Sequence, residues 1–440
     1  MTTYIRLHTL LGLLWLTAPT LIVPASQAPA EKVTVNVAAQ EHAQLKLAVV
    51  AVGPGDAELH DVVEQVKHDL SFSGQFDVGV RCVEHVHAKN SITDLADEGY
   101  LLALFISTHD RGHAFDWRLY DTAFGSMIKG KHTKKHGTLV RGWAHTIADA
   151  VWPELTGQPG CFSSKIAYCK EVNPTGKKRH TNIFVADYDG SNEQRLIKTP
   201  TVNLAPRWNA DPSNPILFYS EGTNANIRLM HVTMDGRRGI ASNFDGINML
   251  PAFSGDGKKV VYCASRGHGT CQLYLYETGN FKRITNNQGN NIAPTMSRDG
   301  DYMYFCSDVP SGKPQIMRYE FATATCTPIT TSGHNFCPHY HQARGKVVYS
   351  KLVKGVAQLF VYDEATKDHK QLTYDACNKD ECCWSPCGTH IIFSVEKGAS
   401  SRLAMLNVRT NEQRFITAAN EHCSYPTWSP LYMNFPVITS

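Results

Sequence analysis

Pro206-Arg207-Trp208-Asn209, Pro251-Ala252-Phe253-Ser254, Pro294-Thr295-Met296-Ser297, Pro338-His339-Tyr340-His341, Cys382-Cys383-Trp384-Ser385 and Pro426-Thr427-Trp428-Ser429 are six versions of one phrase, spaced 45, 43, 44, 44 and 44 residues apart. That period is the length of one four-stranded propeller blade. After the first five phrases the chain runs through a turn, clearest in Gly255-Asp256-Gly257 and Arg298-Asp299-Gly300, into a β-branched and aromatic stretch such as Val260-Val261-Tyr262-Cys263. Such stretches suit buried strands. A third, alternating run follows, as in Gln358-Leu359-Phe360-Val361-Tyr362, and a fourth ends in Ile-Thr or Leu-Thr, as in Arg283-Ile284-Thr285 and Gln371-Leu372-Thr373.

The two ends of the repeat complement each other. Ile166-Ala167-Tyr168-Cys169 is a second-strand run with no phrase before it, and Tyr425 to Ser429 is a phrase with no second strand after it. The C-terminal strand is therefore expected to complete the first blade, closing a six-bladed ring with no open sheet edge at the seam.

The first half lacks this period. Leu47-Ala48-Val49-Val50-Ala51-Val52 reads as a buried strand, and Gly53-Pro54-Gly55-Asp56 as a turn that caps a helix. Leu59, Val62, Val63, Val66 and Leu70 fall on one helical face, as do Trp143, Ile147, Val151 and Leu155 in a second helix over 139–155. Leu101 to Ile106 and Phe115 to Tyr120 read as strands, and residues 156–163 as a Gly/Pro linker short enough that the two parts should touch. The fold class is thus an α/β N-terminal domain plus an all-β six-bladed propeller of WD40-like repeats. The expected domains are a signal peptide over 1–30, the α/β domain over 31–160 and the propeller over 161–440.

The signal peptide rests on Arg6 ahead of the apolar stretch Leu10 to Leu16, broken by Pro19 and Pro24, with Ala28-Pro29-Ala30 as a cleavage site and Val23-Pro24-Ala25 as a rival. No later apolar run reaches spanning length, so the mature chain is expected to be without a membrane span. Thirteen cysteines suit an oxidising compartment, and the odd number leaves at least one thiol unpaired within the chain. A net charge of +3 gives no reason to expect a nucleic-acid partner.

Catalytic signatures are missing. There is no Gly-x-Ser-x-Gly elbow, no His-Glu-x-x-His and no phosphate loop in the sequence. No catalytic residue, cofactor or metal is therefore expected. An exported propeller enzyme, a lyase or a glycan-acting protein, is the alternative reading; it would need carboxylates or a metal converging on the axis. Cys377, Cys382, Cys383 and Cys387 lie within 11 residues, near His369 and His390. Their spacing fits no standard zinc module, which leaves disulfides or buried thiols, a metal, and redox-active or intermolecular thiols as readings. Cys263 and Cys271 are expected to face each other across a hairpin and form a disulfide.

The layout resembles the TolB family. Leu155-Thr156-Gly157 through Phe162 and on to Ile166-Ala167-Tyr168 is similar to the family's inter-domain junction, Asp187-Tyr188-Asp189-Gly190 to its first blade, and the Asn-x-x-Pro-x-aromatic-Ser phrases to its propeller loops. The resemblance implies a periplasmic, non-enzymatic scaffold of a Tol–Pal system, monomeric on its own. It would bind a Pal-like lipoprotein through one propeller face and a TolA-like protein through the segment after the signal peptide, Glu31-Lys32-Val33-Thr34-Val35-Asn36-Val37. Such a scaffold supports outer-membrane integrity and constriction at cell division, and takes part in protein import.

The alternation of that segment suits an added strand on a partner's sheet; an ordinary first strand is the other reading. For the Pal-like partner, Asn203, Asn248, Asn291 and Asn335, with Ile247, Met249, Ile292 and Phe336 beside them, are expected on converging loops, where amides and apolar groups together would suit a protein surface. The same Asn residues could instead satisfy backbone groups in turns. The sequence departs from the family pattern at Ile247, where a His is common, and at Cys382, where Pro is usual.

Overall fold

The computed structural model describes residues 44–431 except 54–55, 85–87, 110–113, 135–139, 173–179, 212, 268 and 399. The expected signal peptide and the TolA-like segment from Glu31 to Val37 lie outside the described residues.

The first layer is a five-stranded sheet with three helices. Its elements in chain order are β1 (Leu45–Val52), α1 (Ala57–Phe72), β2 (Phe76–Val83), α2 (Ala88–Asp97), β3 (Leu102–His109), β4 (Ala114–Asp121), β5 (Ser126–Lys134) and α3 (Val140–Thr156). The strand order is β2-β1-β3-β4-β5, with β1 parallel to β2 and β3 and the β3-β4-β5 meander antiparallel. β1 is apolar on both faces because both are covered. Leu47 and Val49 join Leu59, Val63, Trp143 and Ile147 of α1 and α3, whereas Ala48 and Val50 meet Ile92 and Leu95 of α2. Asp56 starts α1 as an N-cap, its carboxylate accepting the Glu58 N–H at 3.0 Å. The sequence reading did not identify β2 and α2; three of the eight β2 residues are exposed, and α2 is short with few apolar residues.

Six four-stranded antiparallel sheets follow. Five run in sequence order and begin at Val202, Asn248, Asn291, Asn335 and Asn378; the sixth joins Cys423–Trp428 to Lys165–Val172, His180–Asp187 and Gln194–Arg195. The C-terminal strand thus pairs antiparallel with Lys165–Val172 and closes the ring at the seam.

Each position of the repeated phrase has a physical task. The residue before the Pro, or before Cys382, stands in the left-handed region in every blade: Ala205, Leu250, Ala293, Cys337, Glu381 and Tyr425, with φ between 50° and 56°. The innermost ladder shifts register at the same place in all six blades. This is a β-bulge, and a ladder already interrupted there loses little to a Pro without an N–H. The Ser that ends the phrase ties the innermost strand to the start of the second strand: Ser254, Ser297 and Ser385 accept the N–H of Lys259, Tyr302 and His390 at 3.0, 3.1 and 3.0 Å, and across the seam Ser429 accepts that of Lys165 at 2.8 Å. The Thr that ends the fourth run reaches back to the third strand. Thr285, Thr330, Thr373 and Thr417 accept the N–H of Leu273, Ile316, Leu359 and Leu403 at 2.9, 2.9, 2.9 and 3.0 Å.

The α/β layer and the propeller share one apolar core. The cluster containing Leu47 and Trp152 runs on through Phe162, Ile166 and Tyr188 to Ile392, Met405 and Trp428. The linker is held down by Asp149 of α3, whose carboxylate accepts the N–H groups of Phe162 and Ser163, both at 2.8 Å. A Cβ at Gly160 would lie 2.2 Å from Asp149 Oδ1 and 2.8 Å from its Cα, so only glycine allows this close approach.

Candidate partner-binding face

The propeller has two ends. Chain crossovers from one blade to the next, and the hairpins between second and third strands, lie at one; the turns after the repeated phrase lie at the other. The α/β layer packs at the turn end. Its polar contacts centre on the turn Asp187-Tyr188-Asp189-Gly190. Tyr188 donates its hydroxyl to Asp69 Oδ1 at 2.9 Å, His145 Nδ1 lies 2.7 Å from Asp69 Oδ2, and Arg141 donates to Asp189 Oδ2 at 2.9 Å. His145 Nε2 stands 3.8 Å from Asp187 Oδ2, an ion-pair rather than a hydrogen-bond distance. Burial alone would lower the His145 pKa; the Asp69 charge, with Asp187 behind it, outweighs that and pushes it up to about 9. Burial likewise acts to raise Asp187 and Asp189, but His145 and Lys165 on the first and His68 and Arg141 on the second hold both well below the usual carboxylate range. The junction is a charged, hydrogen-bonded seal with both signs ionised at neutral pH.

At the crossover end, the structure corrects the expected placement of the site residues. Asn203, Asn248, Asn291 and Asn335 lie in the innermost strands rather than on loops, and all four are buried. Each amide fastens its strand to the preceding blade. Asn203 donates to Thr181 O at 2.9 Å and Asn248 to Ile227 O at 2.9 Å; Asn291 and Asn335 donate to Gln272 Oε1 and Gln315 Oε1 at 3.2 and 3.0 Å. In the fifth crossover Lys379 takes this place, fully buried, with its ammonium on Asp375 and on Cys377 O. Met249 and Ile292 are also in strands and only 3% and 5% exposed, so neither offers a surface in this conformation. Ile247 and Phe336 are half-buried. The sequence reading missed three apolar side chains at the same end: Val309 and Leu352 in consecutive blades and Tyr374 in the crossover that follows, 48%, 38% and 64% exposed. They lie outside the repeated phrase, where periodicity carries no signal, although each sits beside a predicted strand end.

The bulges line an axial cavity of about 220 Å³, with Arg207, His339, Glu381 and Cys383 among its walls. Its one thiol–imidazole contact among the described residues is Cys383 Sγ to His339 Nε2 at 3.3 Å. Burial pushes the thiol up to about 11 and the imidazole down to about 3, the reverse of what activates a cysteine nucleophile. Burial also pushes the Glu381 carboxyl up to about 8. These groups give no converging carboxylate pair.

The cysteine expectations change as well. Cys263 and Cys271 are free thiols. The register pairs Cys263 with Leu273 and Ala264 with Gln272, so Ser265 rather than Cys263 stands across from Cys271, and the two thiols are diagonal. Cys382, Cys383 and Cys387 point to different partners: Cys337 O, His339 and Cys161. A group that could hold a metal among the described residues lies elsewhere, on β3, β4 and β5, where ligand atoms of His109, Asp116 and His132 all fall within 4.8 Å of one another. No described helix is long and apolar enough to cross a membrane.

Comparisons with known proteins agree with this architecture. The family model described as "TolB beta propeller domain" matches residues 152–432. Two curated proteins named "Tol-Pal system protein TolB" are similar: one from Gluconobacter oxydans (strain 621H) is 32% identical over 39% of this chain and 38% of its own length, and one from Rickettsia canadensis (strain McKiel) is 28% identical over 48% and 49%. The chain thus spans about half or less of the length of these relatives. The crystal structure of TolB from Acinetobacter baumannii has the same fold, with a TM-score of 0.76 at 23% identity over 88% of this chain and 97% of that one. With a family match across every blade and a ring closed by the C-terminal strand, the chain belongs to the TolB β-propeller family.

Proposed function

We propose that this chain is the periplasmic, non-enzymatic scaffold of a Tol–Pal-type envelope system. The observation that carries the reading is the family match over 152–432, together with a crossover end that the α/β layer leaves open and that exposes Val309, Leu352 and Tyr374. A Pal-type lipoprotein docks on that end, where Phe336 and Ile247 add half-buried apolar contact; an exposed aromatic, Tyr374, beside exposed aliphatic side chains favours a protein partner. The buried Asn ladder positions these loops and does not itself touch the partner. A TolA-type protein docks on residues 31–37. Coupling the two supports outer-membrane integrity and constriction at division. The thiol and imidazole lining the axial cavity are shifted away from cysteine-nucleophile activation.

The test is a deletion of residues 31–37 in the mature chain, with capture of each partner measured separately. Loss of the TolA-type protein with retention of the Pal-type lipoprotein supports separate sites. Loss of both, with an unchanged circular dichroism spectrum, contradicts them.

A further inference from the structure

Two sulfurs far apart in sequence meet at the junction of the layers. Cys161 lies in the linker that follows α3, and Cys387 in the first turn of the blade that begins at Asn378. They are 226 residues apart, both buried, with Sγ atoms separated by 2.6 Å. Non-bonded carbon atoms already pack at about 3.5–4.0 Å, and sulfur is larger. A separation this small places the two atoms closer to a covalent bond of about 2.05 Å than to an ordinary contact.

The surroundings hold both residues in place. Cys161 belongs to the segment pinned by Asp149 through Phe162 and Ser163, and Ser164 donates its hydroxyl back to Cys161 O. Cys387 sits in the turn closed by Ser385, with Thr389 Oγ1 at 3.0 Å and Ser385 Oγ at 3.4 Å from its sulfur. Thr389 in turn contacts His390 Nδ1 at 2.8 Å. Neither side chain needs to move far, because both backbones are already fastened.

We propose that Cys161 and Cys387 form a disulfide that staples the inter-domain linker to the blade that begins at Asn378. This goes beyond the scaffold reading and does not depend on it. Formation is a thiol–disulfide exchange. One thiolate attacks a sulfur of an external disulfide such as oxidised glutathione and releases one reduced thiol; the second cysteine, giving up its proton, then attacks the mixed disulfide and releases the other. Two thiols are oxidised to one S–S bond, and one external disulfide is reduced to two thiols. Because both sulfurs are buried in the folded chain, the exchange takes place during folding. The closed bond is then shielded from reductants and from further exchange. It ties the α/β layer to the ring beside the seam, so that the linker cannot lift without opening the blade that begins at Asn378.

The experiment refolds the purified chain in a buffer of oxidised and reduced glutathione, unfolds it without reductant, alkylates the free thiols and maps the peptides. The expected result is a linked pair joining the Cys161 and Cys387 peptides, with both missing from the alkylated set. The Tm should fall by about 5 °C or more in Cys161→Ser and by the same amount in Cys387→Ser. The Cys161→Ser/Cys387→Ser double variant should fall no further, and reductant should leave its Tm unchanged. Alkylation of both cysteines, or a bond from either one to a different cysteine, would overturn the proposal. So would single variants whose effects add in the double variant. Cys263→Ser serves as the control, and its linked-peptide map should be that of the unsubstituted chain.

Discussion

Raising the pH should unfasten the α/β layer through a single imidazole. His145 of α3 is buried against α1 and the first blade, facing Asp69, Asp187 and Tyr188, with Arg141 beside them. Its pKa is pushed from 6.5 up to about 9. A group whose pKa is higher when folded stabilises the fold fully below its unfolded value. That contribution fades as the pH climbs from 6.5 and is gone above about 9. At about 1.36 kcal/mol per pH unit, the shift corresponds to about 3 kcal/mol. Asp187 and Asp189 are lowered, so their contribution is lost only as the pH falls below the carboxylate range. The assay is urea unfolding at half-unit intervals from pH 6 to 9.5, followed by tryptophan fluorescence, on the natural chain and on His145→Gln. The gap between the two stabilities should shrink by about 3 kcal/mol across that window. A gap that stays constant from pH 6 to 9.5 would refute the charged seal and leave His145 as packing alone.

Gly160→Ala should destabilise the chain by about 1–3 kcal/mol in thermal melts, because the new Cβ would collide with Asp149 and lift the linker from α3. Asn248→Ala should cost about 2–3 kcal/mol in chemical denaturation, since it strips Ile227 O, Phe244 O and the Ser242 hydroxyl of a buried partner. The remaining folded protein should still bind its partner with unchanged affinity. A variant that kept its stability but lost affinity would return Asn248 to the interface.

The ring was legible because blade architecture repeats, and repetition turns weak local signals into a strong one. The six phrases, the seam closed by Cys423–Trp428 and the helix starting after Asp56 all follow from residue types whose tasks are local. The left-handed residue in each bulge was not legible. Ala205, Leu250 and Tyr425 carry no turn preference, and the ladder around them imposes the conformation. The Asn series was read correctly as a repeating feature, but its orientation depends on the neighbouring blade, and an amide can satisfy either a partner or a backbone. The hairpin disulfide failed on a shift of two residues in register, which the sequence between Cys263 and Cys271 does not specify. Contacts between distant segments, such as Asp149 with Phe162 or Cys161 with Cys387, leave no periodic trace.

The central claim is that the crossover end of the propeller takes a Pal-type lipoprotein, and calorimetric titration of the mature chain with the soluble domain of that lipoprotein tests it most directly. Saturable one-to-one binding is expected. Tyr374→Arg, at the crossover end, should weaken it by about 30-fold or more, the loss expected for an interface anchor. Phe124→Arg, on the exposed β4–β5 turn, should leave it unchanged. Absence of binding, or equal losses from the two substitutions, would contradict the account.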